Sequence, residues 1–198
     1  VKAMMKMPVD TTVYVRPFAA QDAETVASWL QTRTALEQFS ARGEAATEGD
    51  LLGLVQRAKN DPLIGAYILE SATGDIVAFS AGHIEWPFEH VYESEIMLSP
   101  ELPTRQGWGT LLHGAALTNI FRRRPEVFKV VGRSMRTNQG AAQVMRKLGL
   151  THEGTLRAHV KRAHGHIDLD VFSILRTEWS EGHSASPRVV IVDGDEKC

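Results

Sequence analysis

Cysteine is nearly absent from this sequence. Of 198 residues only Cys198, at the last position, carries a thiol, so no intramolecular disulfide can form. A chain with one free thiol and no secretory leader is expected in a reducing cytoplasm. Long apolar runs are lacking too: none approaches the roughly 20 residues that a membrane-spanning helix needs. The opening Val1-Lys2-Ala3-Met4-Met5-Lys6-Met7-Pro8 has neither an apolar core nor a cleavage signature, and residues 1–10 read as a disordered extension. An excess of charge is missing as well. The formal net charge of -2 gives no general attraction to nucleic acid or to an anionic membrane. Neither internal repeats nor low-complexity segments occur.

What is present is 43% hydrophobic residues over a length that can bury one substantial core, here assigned to residues 11–180. Residues 12–16 are β-branched and aromatic and predict a strand ended by Pro17. A helix over 21–32 follows, with Val26, Trp29 and Leu30 at helical spacing, and 34–46 reads as a loop or broken helix. Thr47-Glu48-Gly49-Asp50 can cap a second helix whose face is Leu51, Leu54, Val55 and Ala58. Strands are predicted at 63–70 and 75–85, joined by Ser71-Ala72-Thr73-Gly74, and at 91–98. The helix over 107–121 is apolar on almost every side and is expected to be covered by other elements. A strand at 127–134, a helix over 138–148 closed by Gly149, and a hairpin of 156–162 with 167–175 complete a mixed α/β plan around one sheet. In the tail, 181–198, the patch Val189-Val190-Ile191-Val192 is an edge strand, a surface for a partner chain, or part of a disordered end.

The chain is organised around Arg105-Gln106-Gly107-Trp108-Gly109-Thr110, which separates the strand at 91–98 from the apolar helix. A helix start has up to four N–H groups without intrahelical partners and the positive end of the macrodipole. Glycines there let a bulky anion approach the backbone. A phosphate-bearing ligand suits this loop; a tight turn with close helix packing is the plainer alternative.

Glu95-Ile96-Met97-Leu98-Ser99-Pro100 followed by Gln106-Gly107-Trp108-Gly109-Thr110 resembles the cofactor-binding motif of the GCN5-related N-acetyltransferases (GNAT). Asn138-Gln139-Gly140-Ala141-Ala142-Gln143-Val144-Met145-Arg146-Lys147-Leu148-Gly149 looks like that family's second motif. Glu153-Gly154-Thr155-Leu156-Arg157, Gly165, Asp168 and Glu178-Trp179 are similar to the closing hairpin of the branch that acetylates ribosomal-protein N-termini. The resemblance spans about 12–180 and implies a mostly antiparallel sheet, splayed between the strands at 91–98 and 127–134, with helices on both faces. It implies acetyl-CoA as acyl donor, its pantetheine arm in the split and its pyrophosphate on the N–H groups of 105–110. Leu98 would offer backbone groups to the pantetheine or thioester, and Asn138 would bond a pantetheine amide. Arg146 would meet the 3′-phosphate or belong to a solvated helix face. Three departures stand out. Thr104 replaces the family's usual Gln or Arg, 98–107 is one residue longer, and Met145 and Ala141 occupy positions where many members carry a Tyr or Ser that protonates the leaving thiolate.

Acyl transfer to an amine needs a neutral amine, a polarised carbonyl and a proton route. Glu93 and Glu95 leave one strand face together and are the candidate bases, Glu95 ranked first; the alternative is an exposed acidic face that attracts a cationic amine. His83 is a secondary base candidate or an interior histidine. His159, His164 and His166 gather at the last hairpin without completing a metal's coordination sphere, so no metal is expected. Arg122-Arg123-Arg124 suits a helix C-terminus rather than a nucleic-acid patch. Trp86, Phe88 and Tyr92 wall an acceptor pocket or pack in the core. The function expected is transfer of an acetyl or other acyl group from acyl-CoA to a primary amine of a small molecule or protein N-terminus, by a monomer or homodimer. Two alternatives stay open: an acyltransferase with a carrier-protein or other donor, and a non-catalytic acyl-CoA-binding module.

Overall fold

The computed structural model describes residues 12–32, 47–85, 87–162, 165–179 and 188–192. The expected N-terminal extension, the loop at 34–46, Trp86, His164 and Cys198 lie outside the described residues. In β1 (Thr12–Pro17) alternation buries Val13 and Val15. The predicted first helix is shorter than 21–32: a 3-10 turn (Ala20–Asp22) precedes α1 (Ala23–Leu30). Asp22 is held by Arg16, which donates to its two oxygens at 2.7 and 2.8 Å and to Glu70 at 2.8 Å. The helix α2 (Glu48–Asn60) begins at the expected cap, where Thr47 Oγ1 accepts from Asp50 N at 3.2 Å and Asp50 accepts from Thr47 N at 2.8 Å. An antiparallel run follows, β2 (Ile64–Glu70), β3 (Ile76–Ile84) and β4 (Val91–Leu98).

Next come α3 (Trp108–Arg123), β5 (Lys129–Met135) and α4 (Gln139–Lys147). As expected, Gly149 follows α4 with φ 84°. The closing hairpin is β6 (Thr151–Arg162) with β7 (Gly165–Leu175). β6 starts earlier than the predicted 156, because the ladder absorbs a register shift between His152 and Gly154 and continues. The apolar tail patch is an edge strand: β8 (Arg188–Ile191) pairs parallel with β1.

Among the described residues the strands form one sheet in the order β6-β7-β5-β4-β3-β2-β1-β8. α1 and α2 pack one face through Val26, Trp29, Leu51 and Val55 against Ile68, Phe79 and Met97. The other face carries α3, which is buried on most sides as predicted, and α4. β4 and β5 are parallel neighbours, and α3 is the crossover that a parallel pair requires. Their ladder covers only Val91–Glu93 against Lys129–Val131. Beyond it the two strands part.

Gly82 of β3 sits where that strand crowds β4. A Cβ there would fall inside contact distance of the Glu93 carbonyl oxygen and 2.6 Å from Tyr92 Cε1. Gly82→Ala is expected to lower stability by about 2–3 kcal/mol through overpacking, read from urea midpoints. An unchanged midpoint would contradict this rigid contact.

Candidate active site

Past the short ladder, 94–98 of β4 stays bonded to β3 and 132–135 of β5 stays bonded to β7. The two inner edges therefore face each other across a crevice that opens to solvent. Ser94 and Ile96 line one wall, Gly132 and Ser134 the other, and His113, Leu117, Ala141 and Met145 close it from the helix side. Gly132 keeps that wall slim: a Cβ there would meet Met145 Sδ at 3.2 Å, and the flexible Met145 side chain would have to give way. Unpaired strand edges present N–H and C=O groups at strand spacing. An extended ligand with its own amides can complete them.

Two helices begin at the open end of this crevice. α3 starts at Gly107, whose φ of 87° is left-handed and which provides no side-chain cap. Arg105, two residues earlier, is also left-handed at φ 61°, at a cost of about 1–2 kcal/mol for a residue with a Cβ. The N–H groups of Trp108, Gly109 and Thr110 thus open α3 without a capping side chain, beside exposed Arg105 and Gln106. Gly109 has the packing role, the plainer of the two readings. A Cβ on it would meet Val144 Cγ2 at 3.0 Å, so its missing side chain lets α3 and α4 approach closely. Trp108 turns its indole into the core near Leu98 and Leu102. Asn138 caps α4, its Oδ1 accepting from Ala141 N at 3.1 Å, which leaves Nδ2 for a ligand in the crevice that Asn138 lines. Arg146 stacks over the Phe172 ring at 5.3 Å, on the side of α4 away from Val144 and the glycine loop.

Glu93 and Glu95 project from β4 on the face of Met97, toward the α1/α2 side. The register sets His83 opposite Glu93 and Ala81 opposite Glu95. Arg133 of β5 reaches across the parting to Glu93 Oε2 at 3.0 Å and toward Glu85 at 3.8 Å. Glu93 is thereby committed to an ion pair, whereas Glu95 forms no ion pair among the described residues and lines the crevice. Glu95 opens to solvent along the crevice and is crowded by protein elsewhere. That desolvation, with the charge of Glu93 next to it, raises its carboxyl above the usual carboxylate range, partly offset by His83 and Arg133. His83 is exposed, not interior, because its position on β3 shares the open face of Glu93.

Sequence reasoning passed over His113 and Arg133. His113 is the one polar side chain in the run Leu111–Leu117, and that anomaly is the signal that marked it. Its Nδ1 lies 2.8 Å from Gly109 O, and burial pushes its pKa down to about 4. Arg133 left no such trace, since its partners come from strands distant in sequence. Among the described residues no three His, Cys, Asp or Glu side chains converge as metal ligands. Arg123 and Arg124 serve the fold: Arg123 bonds Asn119 and covers Tyr67, and Arg124 donates to the carbonyls of Pro62 and Ile64.

A family model described as an acetyltransferase (GNAT) domain matches residues 12–151. The chain belongs to the GNAT acetyltransferases. The fold agrees. Spermidine N-acetyltransferase from Vibrio cholerae, solved in complex with CoA and spermine, superposes with a TM-score of 0.74 at 16% identity, over 84% of this chain and 96% of that one. A GNAT-family acetyltransferase from Bacillus anthracis gives 0.70 at 18% identity, over 88% and 100%. A dodecameric spermidine N-acetyltransferase structure, also from Vibrio cholerae, gives 0.67 at 16%, over 83% and 94%. Comparison by sequence with curated proteins yields no match. The resemblance to GNAT enzymes seen in the motifs is thus correct at the level of family and of the splayed fold.

The depressed pKa of His113 in this GNAT fold has a consequence for stability. The unfolded chain takes up that proton near pH 6.5, the folded chain only near pH 4, so unfolding binds a proton between these values and stability falls as pH drops through them. His113→Leu is expected to remove roughly 2–3 kcal/mol of that loss, measured as a shallower decline of urea-derived stability from pH 6.5 to 4. An unchanged slope would contradict the burial of the neutral ring.

Proposed function

We propose that this GNAT acetyltransferase moves an acetyl group from acetyl-CoA to a primary amine. The observation that carries the proposal is the parting of β4 and β5 with the start of α3 at its open end. Acetyl-CoA supplies an acyl group activated on a thioester. The residues present fit it: two unpaired strand edges suit an extended diamide arm, the N–H groups of 107–110 suit a diphosphate, and Asn138 Nδ2 suits an amide carbonyl. Leu98, on the inner edge of β4, offers backbone groups to the same arm. Arg146, held over Phe172, has to leave that stack to reach a 3′-phosphate.

Glu95 is the candidate base. Its raised pKa suits taking a proton from an ammonium near neutral pH, while Glu93 is held by Arg133 and shapes the field. Glu85, Glu93 and Glu95 set three carboxylates against Arg133, so the face draws a cationic amine. Both acceptor classes fit that charge: a protein N-terminus, in keeping with motifs similar to the ribosomal-protein acetyltransferase branch, and a small polyamine, in keeping with structural neighbours that are spermidine N-acetyltransferases. Ala141 and Met145 place no hydroxyl in the crevice, so α4 donates no proton to a leaving thiolate and water or Ser94 takes that part. The acyltransferase unit occupies 11–180 and works as a monomer or homodimer in the cytoplasm. No helix among the described residues is long and apolar enough to cross a membrane.

Two variants test this. Gly107→Glu sets negative charge and bulk at the α3 start and is expected to abolish CoA binding in calorimetry while the melt shows a retained fold, shifted by the strain of a left-handed residue, about 1 kcal/mol. Undiminished affinity would remove the loop from the site. Glu95→Gln is expected to lower kcat with acetyl-CoA and a polyamine or peptide acceptor by about 100-fold or more, with KM for acetyl-CoA little changed. Equal activity would exclude Glu95 as the base.

A further inference from the structure

His113 sits on the second turn of α3, between the helix start at Gly107 and the level of Glu95, and lines the crevice. Its Nδ1 is 2.8 Å from the carbonyl oxygen of Gly109, one turn back. A carbonyl oxygen only accepts, so Nδ1 carries the hydrogen and Nε2 keeps a lone pair. The helix backbone itself fixes this tautomer. Among the described residues no group donates to Nε2. The crevice that His113 lines mixes apolar walls from Ile96, Leu117, Val130 and Met145 with polar Ser94, Ser134 and Asn138. An imidazole acceptor on the wall of an open crevice bonds to solvent, and a ligand that displaces that solvent keeps the bond only by bringing a hydrogen of its own.

We infer that His113 Nε2 accepts an amide N–H of the pantetheine arm, making His113 a positioning residue for the acyl donor. The inference rests on the acyl-CoA reading given above. Amide N–H is the chemistry that fits. The arm carries two such groups, and a thioester sulfur bears no hydrogen. With Nδ1 committed to Gly109 and the ring neutral, His113 has no proton to give a leaving thiolate, so an acid role is excluded. The site sits partway along the crevice, where the middle of an extended arm lies when its diphosphate rests on the α3 start.

Calorimetry on the full chain tests this with two probes: CoA, and 3′-phospho-ADP, which keeps the nucleotide and lacks the arm. His113→Leu is expected to weaken CoA about tenfold, the size of one hydrogen bond, and to leave 3′-phospho-ADP unchanged. His113→Gln, whose amide can donate to Gly109 O and accept from the ligand, is expected to recover most of the loss. In the unmodified protein with nitrogen-15-labelled histidine, the Nε2 resonance should shift on adding CoA and stay in place on adding 3′-phospho-ADP. Equal CoA affinity in His113→Leu, equal weakening of both probes, or an Nε2 resonance indifferent to CoA overturns the inference while the acyl-CoA reading stands. An unmodified chain that binds neither probe overturns that reading itself.

Discussion

Everything at the site follows from a ladder that stops early. β4 and β5 are parallel, meet over Val91–Glu93 and Lys129–Val131, and then separate. A backbone edge left without partners in a dry interior is expensive, so such a gap persists only if water or a ligand with matching groups can occupy it. The parallel arrangement adds a second effect. Both strands run toward the open end, so the helices that follow them, α3 and α4, begin there, and the positive ends of their dipoles converge on the opening. Their N-termini differ in one respect. Asn138 caps α4 with its own side chain, whereas Gly107 leaves α3 without a side-chain cap. That difference is why the proposed function gives anion binding to α3 and amide recognition to α4.

The two faces of the sheet are covered unequally, and in the proposed function that difference separates the binding of the donor from access for the acceptor. α3 and α4 bury the face bearing Tyr92, Val130 and Phe172. On the other face α1 and α2 pack over Ile68, Phe79 and Met97, and Glu93, Glu95 and Arg133 lie at the border of that covered region. Glu93 and Arg133 neutralise each other across the parting, tying the strands just where the ladder ends. Glu95 stays available at the boundary between the two faces, which is where a base has to stand if donor and acceptor arrive from opposite sides.

Much of this was legible in the sequence because it is local. The cap at Thr47, the glycine after α4, the apolar girth of α3 and the strand at 91–98 are decided by neighbours within a few residues, and the structure has them as read. The order of the motifs sufficed for the family and for the parting of the strands. What escaped is tertiary. His83 turned out exposed because its fate depends on whether a helix covers that part of the sheet, which periodicity does not report. For Gly109 the sequence left anion approach and close helix packing both open, and the second became visible only through Val144, some thirty-five residues on. Arg133 gained its meaning from Glu93 across the parting. His113 could have been noticed, since a lone imidazole in a wholly apolar run asks for a reason, but its bond to Gly109 and its place in the crevice needed coordinates.

The central claim is that the inner edges of β4 and β5 are open and that an acyl donor's arm completes them. Amide hydrogen exchange resolved to single residues tests it most directly, with and without saturating CoA. The account predicts slowed exchange within 94–98 and 132–135 and at 108–110 when CoA is present, with little change at 91–93, which the ladder already protects. Exchange at 94–98 and 132–135 that is slow without CoA and unaltered by it would show the strands already joined, and would contradict the account.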